Sequence, residues 1–261
     1  MTTLPSAPST PTPRRRWIKN RRDLLSFIGV FAVVSLAISV GAFLVWTANP
    51  AQPGAIALRT MTEVTMTIED GMITFVPTTP RDLGFIFYPG ALVSARAYAP
   101  ILAPLAQAGY LVVTTEMPLN LAVFDTAAAD RLRAAHPQIT RWAIGGHSLG
   151  GAMASNYARD RGDLAGLALL ASAPDKSVHD LPLPTLYVYG DRDGLRTAEE
   201  LNSVRSLLPA DTEYVLIEGA NHAQFGDYGA QFRDLEAMIP AQTQWDATVA
   251  ALLRWLERAE R

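Results

Sequence analysis

Between Arg141 and Arg161 the chain reads RWAIGGHSLGGAMASNYARDR, and no other stretch restricts the fold as strongly. Arg141–Gly145 has the apolar character of a short strand. Leu149–Arg161 has the spacing of a helix. The Gly146-His147-Ser148-Leu149-Gly150 turn must join the two. So abrupt a passage strains the Ser148 backbone and lifts its hydroxyl above the sheet. Side chains two residues before and after would collide, and glycine stands at both places. The helix N-terminus behind Ser148 favours the negative charge that develops in acyl transfer, which makes Ser148 a candidate nucleophile. A Gly-x-Ser-x-Gly match alone arises by chance in about one chain in ten of this length. Its place between a strand and a helix is what makes it specific.

The chain around it alternates in the same way. Glu63–Ile68 and Met72–Val76, split by Glu69-Asp70-Gly71, predict an opening hairpin. Strands are predicted at Gly84–Tyr88, Tyr110–Thr115, Leu164–Ser172, Thr185–Tyr189 and Glu213–Ile217. Helices are predicted at Ala97–Ala108, Phe124–Ala135, Ala198–Leu208 and Gln242–Ala259. This order predicts an α/β fold with a mostly parallel sheet of about seven or eight strands and helices on both faces. Ligands of such sheets bind outside the carboxyl ends of the strands.

The strand ends carry further chemistry. After Thr185–Tyr189 comes Gly190-Asp191-Arg192-Asp193-Gly194, with two candidate acids. After Glu213–Ile217 comes Gly219-Ala220-Asn221-His222, where a loop histidine is placed to act as general base. His136 ends a helix before Pro137, His147 is expected to face away from Ser148 as a filler of the turn, and His179 lies in a loop. Four histidines without a close pair give no metal-ligand spacing, so no metal is expected. An oxyanion needs two N–H donors. Leu149 supplies one, and the loop Tyr88-Pro89-Gly90-Ala91-Leu92 supplies the other from Ala91, with Leu92 as the alternative.

The Ser148 turn, the Gly190–Asp193 loop and the Asn221-His222-Ala223-Gln224-Phe225-Gly226 run resemble, in that order, the α/β-hydrolase superfamily. The likeness covers roughly Thr60 to Arg261. It is similar in particular to small lidless bacterial hydrolases related to dienelactone hydrolase and carboxylesterases, whose members often carry an N-terminal membrane segment. The resemblance implies an α/β-hydrolase fold and a Ser148, Asp193, His222 triad, because the family's acid usually stands three residues after the strand-end glycine. Asp191 is then a loop support. Two departures matter. Many members have His-Gly where this chain has Pro89-Gly90. Dienelactone hydrolases use cysteine where this chain has Ser148, and the chain has no cysteine, so ordinary ester hydrolysis is the implied activity. Lipases commonly insert a cap where Ser172 and Thr185 stand close together, so an open site is expected. Leu92, Glu116, Met117, Pro118, Leu119 and Phe225 are candidates to line its mouth.

Leu24–Trp46 is an uncharged run of 23 residues. As a helix rising about 1.5 Å per residue it crosses the roughly 30 Å of bilayer hydrocarbon. Six of the 22 basic residues but only one of the 25 acidic ones precede Leu24. The positive-inside rule then keeps the N-terminus in the cytoplasm and exports the rest. The alternative is secretion after signal cleavage near Thr47–Ala51. The body after Leu24 carries a net charge of −8, which disfavours nucleic acid as a partner. The expected organisation is a disordered basic tail (1–23), a transmembrane helix (24–46), a linker (47–60) and a catalytic domain (61–261). The expected function is hydrolysis of small-molecule carboxylic esters through an acyl-enzyme without a cofactor. An acyltransferase with the same triad and a non-catalytic envelope binding protein are the alternatives.

Overall fold

The strand that leads to Ser148 lies inside the sheet, with parallel neighbours on both sides. A computed structural model describes residues 21–196 and 198–261. Residues 1–20 of the predicted tail lie outside the described residues, and its last three, 21–23, are helical rather than disordered. The chain divides into two units, Met1–Val45 and Trp46–Arg261.

The described residues of the first unit are helical. Helix α1 (Arg21–Thr47) contains a span, Leu24–Thr47, long and apolar enough to cross a membrane, and its apolar side chains are exposed.

The second unit begins with α2 (Ala55–Thr62) and the antiparallel hairpin β1 (Met66–Glu69) and β2 (Met72–Phe75). Then follow β3 (Leu83–Tyr88), α3 (Ala99–Gln107), β4 (Leu111–Thr115), α4 (Ala128–Ala134), β5 (Arg141–His147), α5 (Leu149–Asp160), β6 (Gly166–Leu170), β7 (Thr185–Gly190), α6 (Ala198–Arg205), β8 (Glu213–Ile217) and α7 (Ala241–Glu260). The eight strands form one sheet in the order β1-β2-β4-β3-β5-β6-β7-β8. From β4 to β8 every neighbouring pair is parallel.

All six residues of β3 are buried, as a strand covered on both faces requires. Phe85 and Phe87 point to one face, into a core shared with Ile101 of α3 and with Trp245 and Trp255 of α7. Ile86 and Tyr88 point to the other, into a core shared with Leu132 of α4 and Tyr157 of α5. The period-2 alternation of a strand thus feeds two cores and fixes the register against the helices.

Two expectations need correction. The predicted linker 47–60 is part of the folded unit. Ala51 bridges Val93, Gly54 N–H donates to Asp227 O at 2.6 Å, and Ala57 N–H donates to Asp227 Oδ2 at 2.8 Å. The Asp227 carboxylate sits at the N-terminus of α2, where it satisfies a donor the helix leaves unpaired. That partner lies 170 residues away, so no local signal announces the helix. The predicted helix Phe124–Ala135 shrinks to α4, because Ala122–Phe124 forms a separate 3-10 turn before it.

Candidate active site

Ser148 occupies the turn from β5 into α5 with φ 51° and ψ −124°. This is left-handed backbone for a residue with a Cβ, of the kind that persists only where neighbours overdetermine it. They do so here. Ser148 N–H donates to Leu170 O at 3.0 Å, and its carbonyl accepts from Ser172 Oγ at 2.6 Å and from Ala152 N–H at 3.2 Å. A Cβ at Gly146 would lie 2.5 Å from the Gly150 carbonyl carbon. The two glycines that flank Ser148 are therefore demanded by backbone approach.

Asp193 and His222, from loops after β7 and β8, meet. His222 Nδ1 lies 2.9 Å from Asp193 Oδ2, and both side chains are almost wholly buried. Asp193 Oδ1 accepts from Leu195 N–H at 2.8 Å and Arg196 N–H at 2.7 Å. The carboxylate is thus fixed by two amides on one oxygen and presents the other to the imidazole. A buried carboxylate on Nδ1 leaves Nε2 as the nitrogen able to accept a proton. His222 Nε2 is buried and has no hydrogen-bond partner among the described residues, Ser148 Oγ included. Catalytic hydrogen bonds are often loose until substrate is bound.

His147 is placed differently from the expectation that it merely fills the turn. Its ring packs on that of His222, with centroids 4.5 Å apart. Tyr98 Oη accepts from Gly90 N–H at 2.9 Å and lies 2.9 Å from His147 Nδ1. Tyr98 Oη and His147 Nδ1 share a buried hydrogen bond whose direction follows the ring tautomer. One buried chain of bonds thereby connects the loop after β3 to the Ser148 turn, and the ring contact carries it on to His222.

Burial, with His222 beside it as the next cause, holds the His147 ring well below the ordinary histidine range. The unfolded chain then binds the proton first as pH falls below about 6.5, so the folded state loses stability on the acid side of that value. His136, lowered by partial burial, acts in the same direction. The urea midpoint is expected to fall from pH 7 to pH 5.5, at up to about 1.4 kcal/mol per unit from His147. His147→Gln should flatten that slope, and an unchanged slope would sink this assignment.

The remaining expected residues divide. Leu149 opens α5, where a helix leaves its first N–H groups free of intrahelical partners. Leu92 N–H donates to Asn120 O at 2.8 Å, so the alternative oxyanion donor is engaged, while Ala91 has no such bond among the described residues. Leu92 itself has φ 55° and is half-buried. Glu116 accepts from Ser94 Oγ at 2.7 Å and from Ala95 N–H at 3.1 Å, and so anchors the turn before α3. Met117 and Phe225 are buried in the two cores and do not line an open mouth. Phe225 instead stacks at 5.6 Å on His147. Pro118 and Leu119 are exposed. Asp191 supports the neighbouring loop by accepting from Gly219 N–H at 2.6 Å. His179 is exposed beside Asp180. No helix is inserted between β6 and β7.

One residue the sequence did not single out is Asp234. Its Oδ1 accepts from Gly194 N–H at 3.0 Å and His222 N–H at 3.3 Å, and its Oδ2 from Ala223 N–H at 2.8 Å. It clamps the Asp193 loop to the His222 loop. From the other side Gln244 of α7, fully buried, bonds both the N–H and the carbonyl of Asn221. Neither residue lies in a motif, so only the folded chain identifies them. Asp234→Asn places an amide donor against an amide donor and is expected to cost about 1–2 kcal/mol, measured by urea unfolding. It should also lower kcat more than it changes KM, because the pair moves and the mouth does not.

Residues 84–246, more than half of the chain, match the model of the "Alpha/beta hydrolase family". No curated protein matches the sequence. Among solved structures, a thermophilic esterase from Thermogutta terrifontis is 15% identical with a TM-score of 0.56, covering 76% of this chain and 98% of that one. An alpha-beta serine hydrolase homologue from Coxiella burnetii is 18% identical with a TM-score of 0.53, covering 72% and 96%. An alpha/beta hydrolase enzyme from the metagenome of lagoon sediments at Mar Chica is 14% identical with a TM-score of 0.52, covering 63% and 92%. At these identities the likeness is one of fold.

Proposed function

Since the chain belongs to the alpha/beta hydrolase family, we propose that it is a serine hydrolase of carboxylic esters, held to a membrane by α1. The observation that carries the reading is the buried Asp193–His222 pair at 2.9 Å, whose imidazole packs on the ring of His147, the residue before Ser148. In the proposed cycle His222 Nε2 takes the proton of Ser148 Oγ as Oγ bonds to the ester carbonyl carbon. The carbonyl oxygen becomes an oxyanion held by the Leu149 and Ala91 N–H groups. The tetrahedral intermediate expels the alkoxide, which leaves as the alcohol with the proton from His222. Water then gives a proton to His222 and its oxygen to the acyl carbon. Collapse returns the proton to Ser148 and releases the acid. Asp193 orients the imidazole and stabilises its charged form in both halves.

The reading also takes α1 as an uncleaved anchor with the N-terminus inside. The hydrogen-bonded placement of Ala51 and Gly54 supports it, since the candidate cleavage segment belongs to the folded unit. Labelling with a fluorophosphonate probe tests the chemistry. Wild-type protein is expected to label and Ser148→Ala to remain unlabelled, and equal labelling would end the serine assignment. A series of p-nitrophenyl esters of rising chain length, with Ser148→Ala as blank, then defines the acyl preference.

A further inference from the structure

The exposed apolar side chains of the second unit are unevenly placed. Ten large ones are exposed among its described residues, and six of them fall on two loops: Leu119, Val123 and Phe124 after β4, and Phe232, Leu235 and Met238 after β8. Phe232 is 88% and Met238 75% exposed. Both loops belong to the carboxyl edge of the sheet. Leu92 N–H donates to Asn120 O in the first, and Met238 N–H donates to Gly219 O in the second. In strand order β4 lies two places to one side of β5 and β8 three places to the other, so the loops flank the Ser148 turn. At roughly 4.8 Å per strand the two are separated by about 24 Å.

The chain that follows the apolar span is bonded to the same edge. Thr47, the last residue of α1, is fully buried, and its carbonyl accepts from Asn120 Nδ2 at 2.8 Å. Four residues on, Ala51 N–H donates to Leu92 O at 2.7 Å and Ala51 O accepts from Ser94 N–H at 3.0 Å. Gly54 and Ala57 then bond to Asp227, in the loop that follows His222. A hydrophobic span ends at an interface, and a chain bonded this tightly after its end has no length to move away from it.

We propose that the carboxyl edge of the sheet rests on the lipid bilayer through these two loops, and that the ester enters the Ser148 site from the bilayer surface. The substrate is then an amphiphilic ester with its acyl chain in the membrane. Docking rests on the anchor reading and the substrate class on the ester reading. Apolar loops at this place lose contact with water when the headgroup region receives them, which stabilises the contact.

The chain has no cysteine, so single nitroxide labels can be introduced without background. The full chain, its mass confirming α1, is placed in phosphatidylethanolamine–phosphatidylglycerol nanodiscs. Val123→Cys and Phe232→Cys carry the labels, with Asp211→Cys, exposed in the turn before β8 at the opposite edge, as reference. Labels at 123 and 232 are expected to collide preferentially with oxygen over a water-soluble nickel complex, and the label at 211 with the nickel complex. Water-like behaviour at 123 and 232 overturns docking. So does shielding from both reagents, which would mean that a second copy or another protein covers the loops. In a second arm, Val123→Asp/Phe232→Asp is expected to hydrolyse disc-borne p-nitrophenyl palmitate about tenfold more slowly. Its rate on soluble p-nitrophenyl acetate should be unchanged. Equal losses on both esters, or none on either, overturn entry from the bilayer. A wild-type protein inert on both esters refutes the ester reading while the label result on docking stands. A mass lacking α1 refutes the anchor reading, and docking with it.

Discussion

His222→Gln is expected to lower kcat on a short p-nitrophenyl ester by about 10⁵-fold while leaving the fold in place. Glutamine approximates the buried volume, and its amide N–H can still donate to Asp193 Oδ2. What it lacks is a nitrogen that takes and returns a proton near neutral pH. The unpartnered Nε2 of His222 is the atom at issue. Asp193→Asn is the companion variant. An amide there can hold the wrong ring tautomer, and the loss should be about 10⁴-fold. Thermal unfolding followed by circular dichroism separates chemistry from stability. A kcat within tenfold of wild type, with the protein folded, removes His222 from the proposed mechanism.

Gly150→Ala sets two effects of opposite sign against each other. Helix propensity alone favours alanine by about 1 kcal/mol, since Gly150 lies in the first turn of α5. The tertiary contact opposes it. A Cβ there would lie 2.2 Å from Tyr88 O and 2.3 Å from Pro89 O. Both are backbone atoms, so no side chain can rotate aside, and either α5 or the loop after β3 must shift. Overpacking of this kind costs about 1–3 kcal/mol or more, and it outweighs the propensity gain. The shift also falls on the proposed oxyanion donors, because Leu149 and Ala91 stand on its two sides. A displacement near 1 Å is expected to cost about 10²-fold in kcat/KM. Measured together, the melting temperature should drop by several degrees as kcat/KM falls. An unchanged or raised melting temperature would show that the contact relaxes freely.

The parts legible in the sequence are those whose cause is local. β8 runs over Glu213–Ile217 as expected, and β5 and α5 flank Ser148 as expected. A strand followed at once by a helix needs small residues at the turn, and those glycines stand within two residues of the serine. α2 escaped because its N-terminus is satisfied by Asp227, and the prolines and glycine before it read locally as a linker. The contact between the His147 and His222 rings escaped because it joins the end of β5 to the loop after β8. Met117 and Phe225 were misplaced because an apolar side chain near a strand end reads the same whether it faces a mouth or a core.

Sequence alone therefore determined the alternating order of elements, the apolar span at Leu24–Trp46 and the strained turn at Ser148. Each follows from the period of the side chains or from a steric demand a few residues long. Tertiary structure decided which acid meets His222, which loop N–H groups remain unbonded, and that Asp234 clamps two loops. It also decided that residues 47–60 are bonded into the edge that carries Ser148. Those outcomes depend on hydrogen bonds and close contacts between segments far apart in the chain, and their partners meet only once the sheet has formed.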